Sequence, residues 1–211
     1  MVLRQKPEKV EERERIRLSL LRATVMLAAR HGFAGLGLRE VARGADIAPT
    51  SFYRHFADME ELGLALIDEL IGPLLARWNE LANAPSPDPR SPLYALIDQA
   101  LQSTRDEPEL MRFVLAERVG AVPTCRIALH KKLDQLAEAL RPQLPPSRPA
   151  RGKREDSTLD AVASAAVTLL LQGCADSLEL VDDDMEGRAR VRRQLDLQLR
   201  RLLSTRSDAD E

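Results

Sequence analysis

The stretch LREVARGADIAPTSFYRHF, residues 38–56, decides the fold of the N-terminal part of this chain. Its first half has the spacing of one apolar face of an α-helix, which is carried by Leu38, Val41, Ala42 and Ala45. The pattern then restarts at Pro49, a residue that suits the first turn of a helix because its missing N–H has no helical partner there. Phe52 and Phe56, four residues apart, give this second helix a buried side.

The other side of the second helix is polar, with Thr50, Ser51, Tyr53, Arg54 and His55. Two short helices, a tight turn and an outward face of hydroxyls and cations are typical of a helix-turn-helix motif that binds DNA. An αα-hairpin whose polar face only meets water is the alternative that spacing alone leaves open.

The motif resembles the DNA-binding domain of the TetR family of bacterial repressors in the segment IAPTSFYRHF, followed by Asp58 and by ELGL at 61–64. This wording, with RFVLAERVG at 112–120, is most similar to the FabR and DesT type, which represses unsaturated fatty-acid synthesis. The resemblance implies an all-α fold. Residues 1–57 would form an N-terminal arm and a three-helix DNA-binding domain, and residues 58–211 a six-helix ligand-binding and dimerisation domain.

Composition and charge agree with a bundle of packed helices that binds DNA at one end. Apolar residues make up 44% of the chain and aromatic residues 3%, which favours helices rich in Leu and Ala over a β-sandwich. Residues 1–56 hold 11 Lys and Arg against 6 Asp and Glu, whereas the remainder holds 20 against 27. A basic N-terminal part on an acidic body favours phosphate binding at that end, although the charged run at 8–17 is also explained as a solvated helix surface.

Seven residues are the candidate DNA contacts. Pro49, Thr50 and Ser51, at the start of the second helix, are placed to meet base edges. The resemblance assigns Tyr53 and His55 to phosphate, and Arg39 and Arg54 are further phosphate candidates. The flanking helix starts lack a good N-cap, because Gly37 and Ala48 stand where Ser or Thr would cap.

Helical periodicity and breakers predict the remaining elements. The predicted helices cover residues 12–31, 58–82, 93–105, 109–119, 123–140, 157–180 and 186–203. Asp58 and Glu61 predict a capping box, Leu62, Leu66, Leu70 and Leu74 one apolar stripe, and Pro73 a kink. Residues 84–92 and 141–156 are proline-rich connectors, and residues 204–211 are a polar tail.

The resemblance also implies an effector and a second subunit. The effector would be a hydrophobic small molecule, a long acyl chain carried by coenzyme A or acyl carrier protein, although a plain helical core explains the same apolar residues. Its candidate contacts are Arg105, Arg112, Phe113, Arg118, Leu170 and Cys174. The apolar helix near 159–178 and the Leu stripe of 191–202 predict a homodimer, which a palindromic operator requires.

Several classes of protein and of site are not expected from the sequence. The two cysteines form no metal-spaced pair, and the chain lacks a Gly-rich phosphate loop, HExxH and GxSxG, so neither an enzyme nor a metal or cofactor is predicted. The charged N-terminus and an apolar run of only 159–175 predict a cytoplasmic protein that does not enter the membrane.

The sequence therefore predicts a DNA-binding transcriptional repressor that controls fatty-acid or lipid genes. The alternative within the family is a regulator of an efflux or catabolic operon that responds to another lipophilic molecule.

Overall fold

The computed structural model describes residues 5–85, 91–143, 154–181 and 183–204. Regular structure in these ranges is helical, which confirms the all-α prediction. The helices are α1 (Gln5–His31), α2 (Leu38–Gly44), α3 (Pro49–Phe52), α4 (Met59–Leu66), α5 (Gly72–Ala82), α6 (Ser91–Asp106), α7 (Pro108–Glu117), α8 (Pro123–Leu140), α9 (Arg154–Leu178) and α10 (Met185–Ser204). Short 3₁₀ turns occupy Phe33–Gly35 and Arg141–Gln143.

Most predicted helix bounds lie within a few residues of these, but two ends were wrong. Helix α1 begins at Gln5 and not at residue 12, because Glu, Lys and Arg are good helix formers and Arg15 pairs with Glu12 one turn before it. Helix α9 begins at Arg154, inside the predicted connector 141–156. Most of that connector, part of the connector 84–92 and the tail beyond residue 204 lie outside the described residues.

The helix after the DNA-binding motif changes its buried face in mid-course. Between α4 and α5 the backbone forms a π-helical turn, Ile67–Ile71, two residues before the predicted kink at Pro73. Each residue of an α-helix turns by roughly 100°, so the extra residue of a π-turn rotates the following part by about that amount. The predicted stripe therefore holds for Leu62 and Leu66 and fails for Leu70 and Leu74; the buried residues after it are Ile67, Ile71, Leu75, Trp78 and Ala82.

The chain divides into two compact units. The division between them does not follow the domain boundary predicted at 57/58. The first unit runs from α1 to Gly72 and includes Arg112–Leu129; the second contains Pro73–Met111 and the chain from His130 onward. The residues that bind DNA in the prediction thus belong to a unit that also holds the end of α7 and the start of α8.

The core of the first unit contains Phe52 and Phe56, which were predicted to be buried, together with Phe33. Phe33, Phe52 and Phe56 are at most 3% exposed, and the rings of Phe52 and Phe56 lie 5.8 Å apart. Phe113 adds a fourth ring, packed edge-on against Phe33 at 6.0 Å. Such aromatic pairs add to the large apolar area that each ring buries.

In the second unit α9 packs against α6 and α10. Their buried residues include Leu96, Ile97, Ala100, Leu170, Leu171, Cys174, Val191, Leu195 and Leu199. The apolar run of α9 is longer than predicted, since Leu159–Leu178 spans 20 residues with a mean hydropathy of 1.4. By length and composition alone this helix is apolar enough to cross a membrane, and only 39% of it is buried within the chain.

Gly63 marks the closest approach in the first unit. A Cβ at this position would lie 2.6 Å from Cys125 Sγ and 2.6 Å from Phe33 Cζ. Both neighbours are buried, so neither can swing away into solvent. We expect Gly63→Ala to lower the free energy of unfolding by about 1–3 kcal/mol through overpacking, measured by urea denaturation. Gly35→Ala is the control, because a Cβ there meets no atom within 4 Å; an equal loss in both variants would contradict the prediction.

Candidate nucleic-acid interface

The turn of the helix-turn-helix is closed by backbone hydrogen bonds and one left-handed residue. Ala45 N donates to Val41 O at 3.0 Å, and Ile47 N donates to Ala42 O at 3.0 Å. Asp46 has a φ of 56°, the conformation that Gly usually provides and that Asp tolerates better than most residues. An aspartate can therefore occupy this position of the turn.

The second helix of the motif is shorter than predicted. Regular α-helix covers only Pro49–Phe52, and the chain then continues as a turn in which Arg54 N donates to Ser51 O and His55 N to Phe52 O. The start carries no side-chain cap, because Ala48 has no acceptor in its side chain. We call residues 49–55 the recognition segment. Its geometry depends on contacts from elsewhere, since a single turn of helix is not stable by itself.

The seven candidate DNA contacts all lie on α2 or on the recognition segment. Five have exposed side chains, namely Arg39, Pro49, Thr50, Tyr53 and Arg54, and two are half-buried, namely Ser51 and His55. Tyr53 is 66% exposed although its ring touches Phe52 edge-on. An aromatic hydroxyl, two aliphatic hydroxyls and two guanidinium groups provide the donors that phosphate and base edges accept.

His55 is surrounded by positive charge. Burial lowers the pKa of its imidazole below 6.5, and the nearby guanidinium groups of Arg13, Arg17 and Arg54 lower it further. Its Nδ1 has no hydrogen-bond partner among the described residues. The imidazole is therefore neutral at pH 7 in the free chain, where it can donate one hydrogen bond without bringing a charge.

Sequence reasoning missed three residues that hold the recognition segment from outside. Arg13 donates to Arg54 O at 3.2 Å, and Arg17 donates to His55 O at 3.1 Å. Arg17 also pairs with Glu69 of the π-turn. A solvated helix surface was one interpretation of the charged run at 8–17. The i, i+4 spacing of Arg13 and Arg17 was its only local sign of a shared role.

The six candidate effector contacts are dispersed. Arg112, Phe113 and Arg118 belong to the first unit, where Phe113 is a core residue packed on Phe33. Leu170 and Cys174 are buried in α9, and Cys174 Sγ lies 3.8 Å from Ala100 O. Burial raises the pKa of this thiol to about 11, so it stays protonated. Arg105 is exposed on α6.

The second unit has an open cleft of about 720 Å³ between α6 and α10, with one wall from α5. Its lining is mixed: five residues are apolar, namely Leu81, Ala95, Leu101, Met185 and Ala189, and six are polar or charged, namely Asp98, Gln99, Gln102, Arg105, Arg188 and Arg192. Arg192 pairs with Asp98, also in the lining. Of the six candidate effector residues, Arg105 alone lines this cleft. Among the described residues no group of three His, Cys, Asp or Glu is placed to hold a metal ion.

Glu117, the last residue of α7, is a buried carboxylate next to the helix-turn-helix. It is 4% exposed, and its Oε1 accepts a hydrogen bond from Phe33 N at 3.3 Å. Its Oε2 has no hydrogen-bond partner among the described residues and lies where a Cβ on Gly120 would be 2.0 Å away. Burial raises the pKa of Glu117 above its ordinary 4.5, and the bond from Phe33 only partly opposes this.

Stability should therefore depend on the ionisation of Glu117. Because the pKa is raised in the folded chain, the favourable contribution is complete below pH 4.5 and declines as the pH rises through the folded value. We expect Glu117→Gln to gain stability relative to the wild type as the pH increases from 4.5 to 7, in urea titrations at several pH values. The exposed Glu138→Gln is the control, and a constant difference between Glu117→Gln and wild type over this range would refute the prediction.

The fold and the motif together define a class, the all-helical helix-turn-helix proteins. Residues 20–66 match the model for bacterial regulatory proteins of the tetR family. The match runs from within α1 to the end of α4, so this part of the chain is similar to the N-terminal domain of that family.

Solved structures share the fold over nearly the whole chain. A transcriptional regulator from Rhodococcus sp. Rha1 is 20% identical, with a TM-score of 0.70 over 90% of this chain and 96% of that chain. A tetR family regulator from a Shewanella species is 18% identical, with a TM-score of 0.63 over 87% and 95%. The TetR family regulator PfmR from Thermus thermophilus is 16% identical, with a TM-score of 0.62 over 86% and 97%. At these identities the likeness shows the fold alone.

Proposed function

We propose that the protein is a cytoplasmic, homodimeric repressor that binds a palindromic operator and is regulated by a hydrophobic effector. The observation that supports this best is the recognition segment, whose polar side chains are exposed in the part of the chain that matches the TetR family. Thr50 and Ser51 make base contacts in this proposal, with Pro49 against a thymine methyl group. Arg39, Tyr53, Arg54 and His55 bind phosphate and fix the register on the duplex.

The proposed dimer covers α9 and α10. Helix α9 carries the apolar run Leu159–Leu178, of which 39% is buried within the single chain. Its exposed positions are mostly polar, namely Asp160, Ala161, Ser164, Thr168 and Gln172, whereas Val162 and Leu169 are half-buried and Leu197 on α10 is 51% exposed. Covering such apolar side chains contributes about 25 cal/mol per Å² of apolar area removed from water. A two-fold pair would place two recognition segments on successive turns of DNA.

The effector is proposed to be a long-chain acyl thioester of coenzyme A or acyl carrier protein, with fatty-acid or lipid genes as the regulated targets. The resemblance to the FabR and DesT type supports this, and so does the cleft between α6 and α10. Apolar side chains and arginines in one lining suit an acyl chain that is joined to an anionic group. Arg105 is the residue of the predicted set that we place at that group.

Selection from random DNA by the purified chain tests the DNA-binding part. We expect a palindrome with half-sites about 34 Å apart. Ser51→Ala should lower discrimination at one base pair by about 1–3 kcal/mol, whereas Arg39→Gln should weaken binding to all sequences and reduce the salt slope by about 1. Arg77→Gln on α5 is the control for loss of one positive charge. Failure of the wild-type chain to enrich any sequence would overturn the proposal.

Thermal melting with acyl-CoA tests the effector. Palmitoyl-CoA and oleoyl-CoA should each raise the melting temperature, because a ligand at 100 times its Kd stabilises the folded chain by about 2.7 kcal/mol. Arg105→Gln should reduce this shift, and Arg77→Gln should leave it unchanged. Free coenzyme A is the control that measures the effect of the head group without the acyl chain. If neither thioester moves the melting curve or the operator affinity, the acyl effector is wrong.

A further inference from the structure

Arg17 joins three parts of the first unit through one guanidinium group. Its Nε donates to both carboxylate oxygens of Glu69, at 3.0 and 3.2 Å, and its Nη1 donates to His55 O at 3.1 Å. The guanidinium carbon also lies 4.4 Å from the centre of the Phe56 ring. Its side chain is 24% exposed and that of Glu69 is 35% exposed, so solvent screens the pair only in part.

The carbonyl that Arg17 binds needs a partner from outside the recognition segment. Regular helix ends at Phe52, and backbone carbonyls at a helix end have no partner in their own helix. Arg13 and Arg17 of α1 provide donors to two successive carbonyls, those of Arg54 and His55. Cations are favourable at this end of a helix because the carbonyl dipoles point outward there. Helix α1 thus determines how the recognition segment ends.

Glu69 connects this arrangement to the π-turn. It lies inside Ile67–Ile71, where the extra residue of the π-turn sets the direction in which each side chain leaves the helix. If the turn became regular α-helix, the side chains in it would rotate by a large part of 100° relative to α4. The ion pair with Arg17 is compatible with the π-turn as it stands, so the two features are linked.

We propose that Arg17 is a positioning residue for DNA recognition and that Glu69 of the π-turn holds it in place. Arg17 sets the recognition segment through His55 O and the Phe56 ring and does not itself bind DNA. A change in the π-turn then reaches the recognition segment through the Arg17–Glu69 pair. This inference rests on the proposed function and adds to it a specific connection between the following helix and the DNA-binding surface.

A direct phosphate contact by Arg17 is the competing role, and it predicts the opposite result in one variant. Removing the negative charge of Glu69 would free a phosphate-binding Arg17 and raise DNA affinity. If Arg17 positions the recognition segment, the same substitution loosens that segment and lowers affinity. Glu69→Gln is suitable because it keeps the size and an acceptor oxygen, and the partly exposed site tolerates the change.

The experiment measures binding of Glu69→Gln to the operator selected by the wild-type chain and to non-specific DNA, over a range of salt. We expect operator affinity to fall by about two- to fivefold, the effect of losing one partly exposed ion pair, while non-specific affinity stays the same or rises. Glu80→Gln, an exposed site on α5, measures the effect of the charge alone. Operator affinity equal to or above that of Glu80→Gln would overturn the inference.

Two variants of Arg17 complete the test. Arg17→Gln should lower operator affinity without changing the salt slope, whereas loss of a phosphate contact would reduce that slope by about 1. Arg17→Lys should resemble Arg17→Gln, because an ammonium group cannot pair with Glu69, bind the carbonyl and stack on Phe56 together. The double variant Arg17→Gln/Glu69→Gln should bind the operator no more weakly than Arg17→Gln alone. A wild-type chain that binds no DNA would remove the proposed function itself, and with it this inference.

Discussion

The DNA-binding part of the molecule depends on the burial of Phe33, Phe52 and Phe56 in one small core. These rings hold α2 and the recognition segment against α1, because a four-residue helix does not keep a fixed geometry by itself. Phe33 and Cys125, which lies at the start of α8, leave no space for a side chain at Gly63. The polar face that meets DNA in our proposal is exposed because the opposite face is completely buried.

The core of the first unit has a buried polar group, Glu117, at its edge. This residue lies in Arg112–Leu129, the later segment of the chain that belongs to that unit. Glu117 accepts a hydrogen bond from the backbone between α1 and α2, while its other oxygen is left in a buried site. A buried acid with one incomplete partner stabilises the fold less than an apolar residue of its size would. The backbone just before the helix-turn-helix is thus hydrogen-bonded to a residue that lies 84 positions later in the sequence.

The local part of this structure could be predicted from sequence and the long-range part could not. Helical spacing correctly predicted the buried side of α2 and the burial of Phe52 and Phe56. Asp58 caps α4 as predicted, with its Oδ1 accepting from Glu61 N at 2.8 Å. The length of α3 was wrong because turn and helix have the same apolar spacing over one turn. Arg17 was missed because its partners lie 38 and 52 residues away. The effector residues were taken mainly from resemblance, and the described structure spreads them over both units.

The π-turn has a consequence for comparing this chain with its relatives. A homologue whose helix is regular at this point would be one residue shorter between Leu66 and Gly72, and its apolar residues would keep a single phase. An alignment without a gap would then pair buried positions of one protein with exposed positions of the other along all of α5. Leu75, for example, would be aligned with the residue equivalent to Ala76, which is exposed here, although both helices bury the same side.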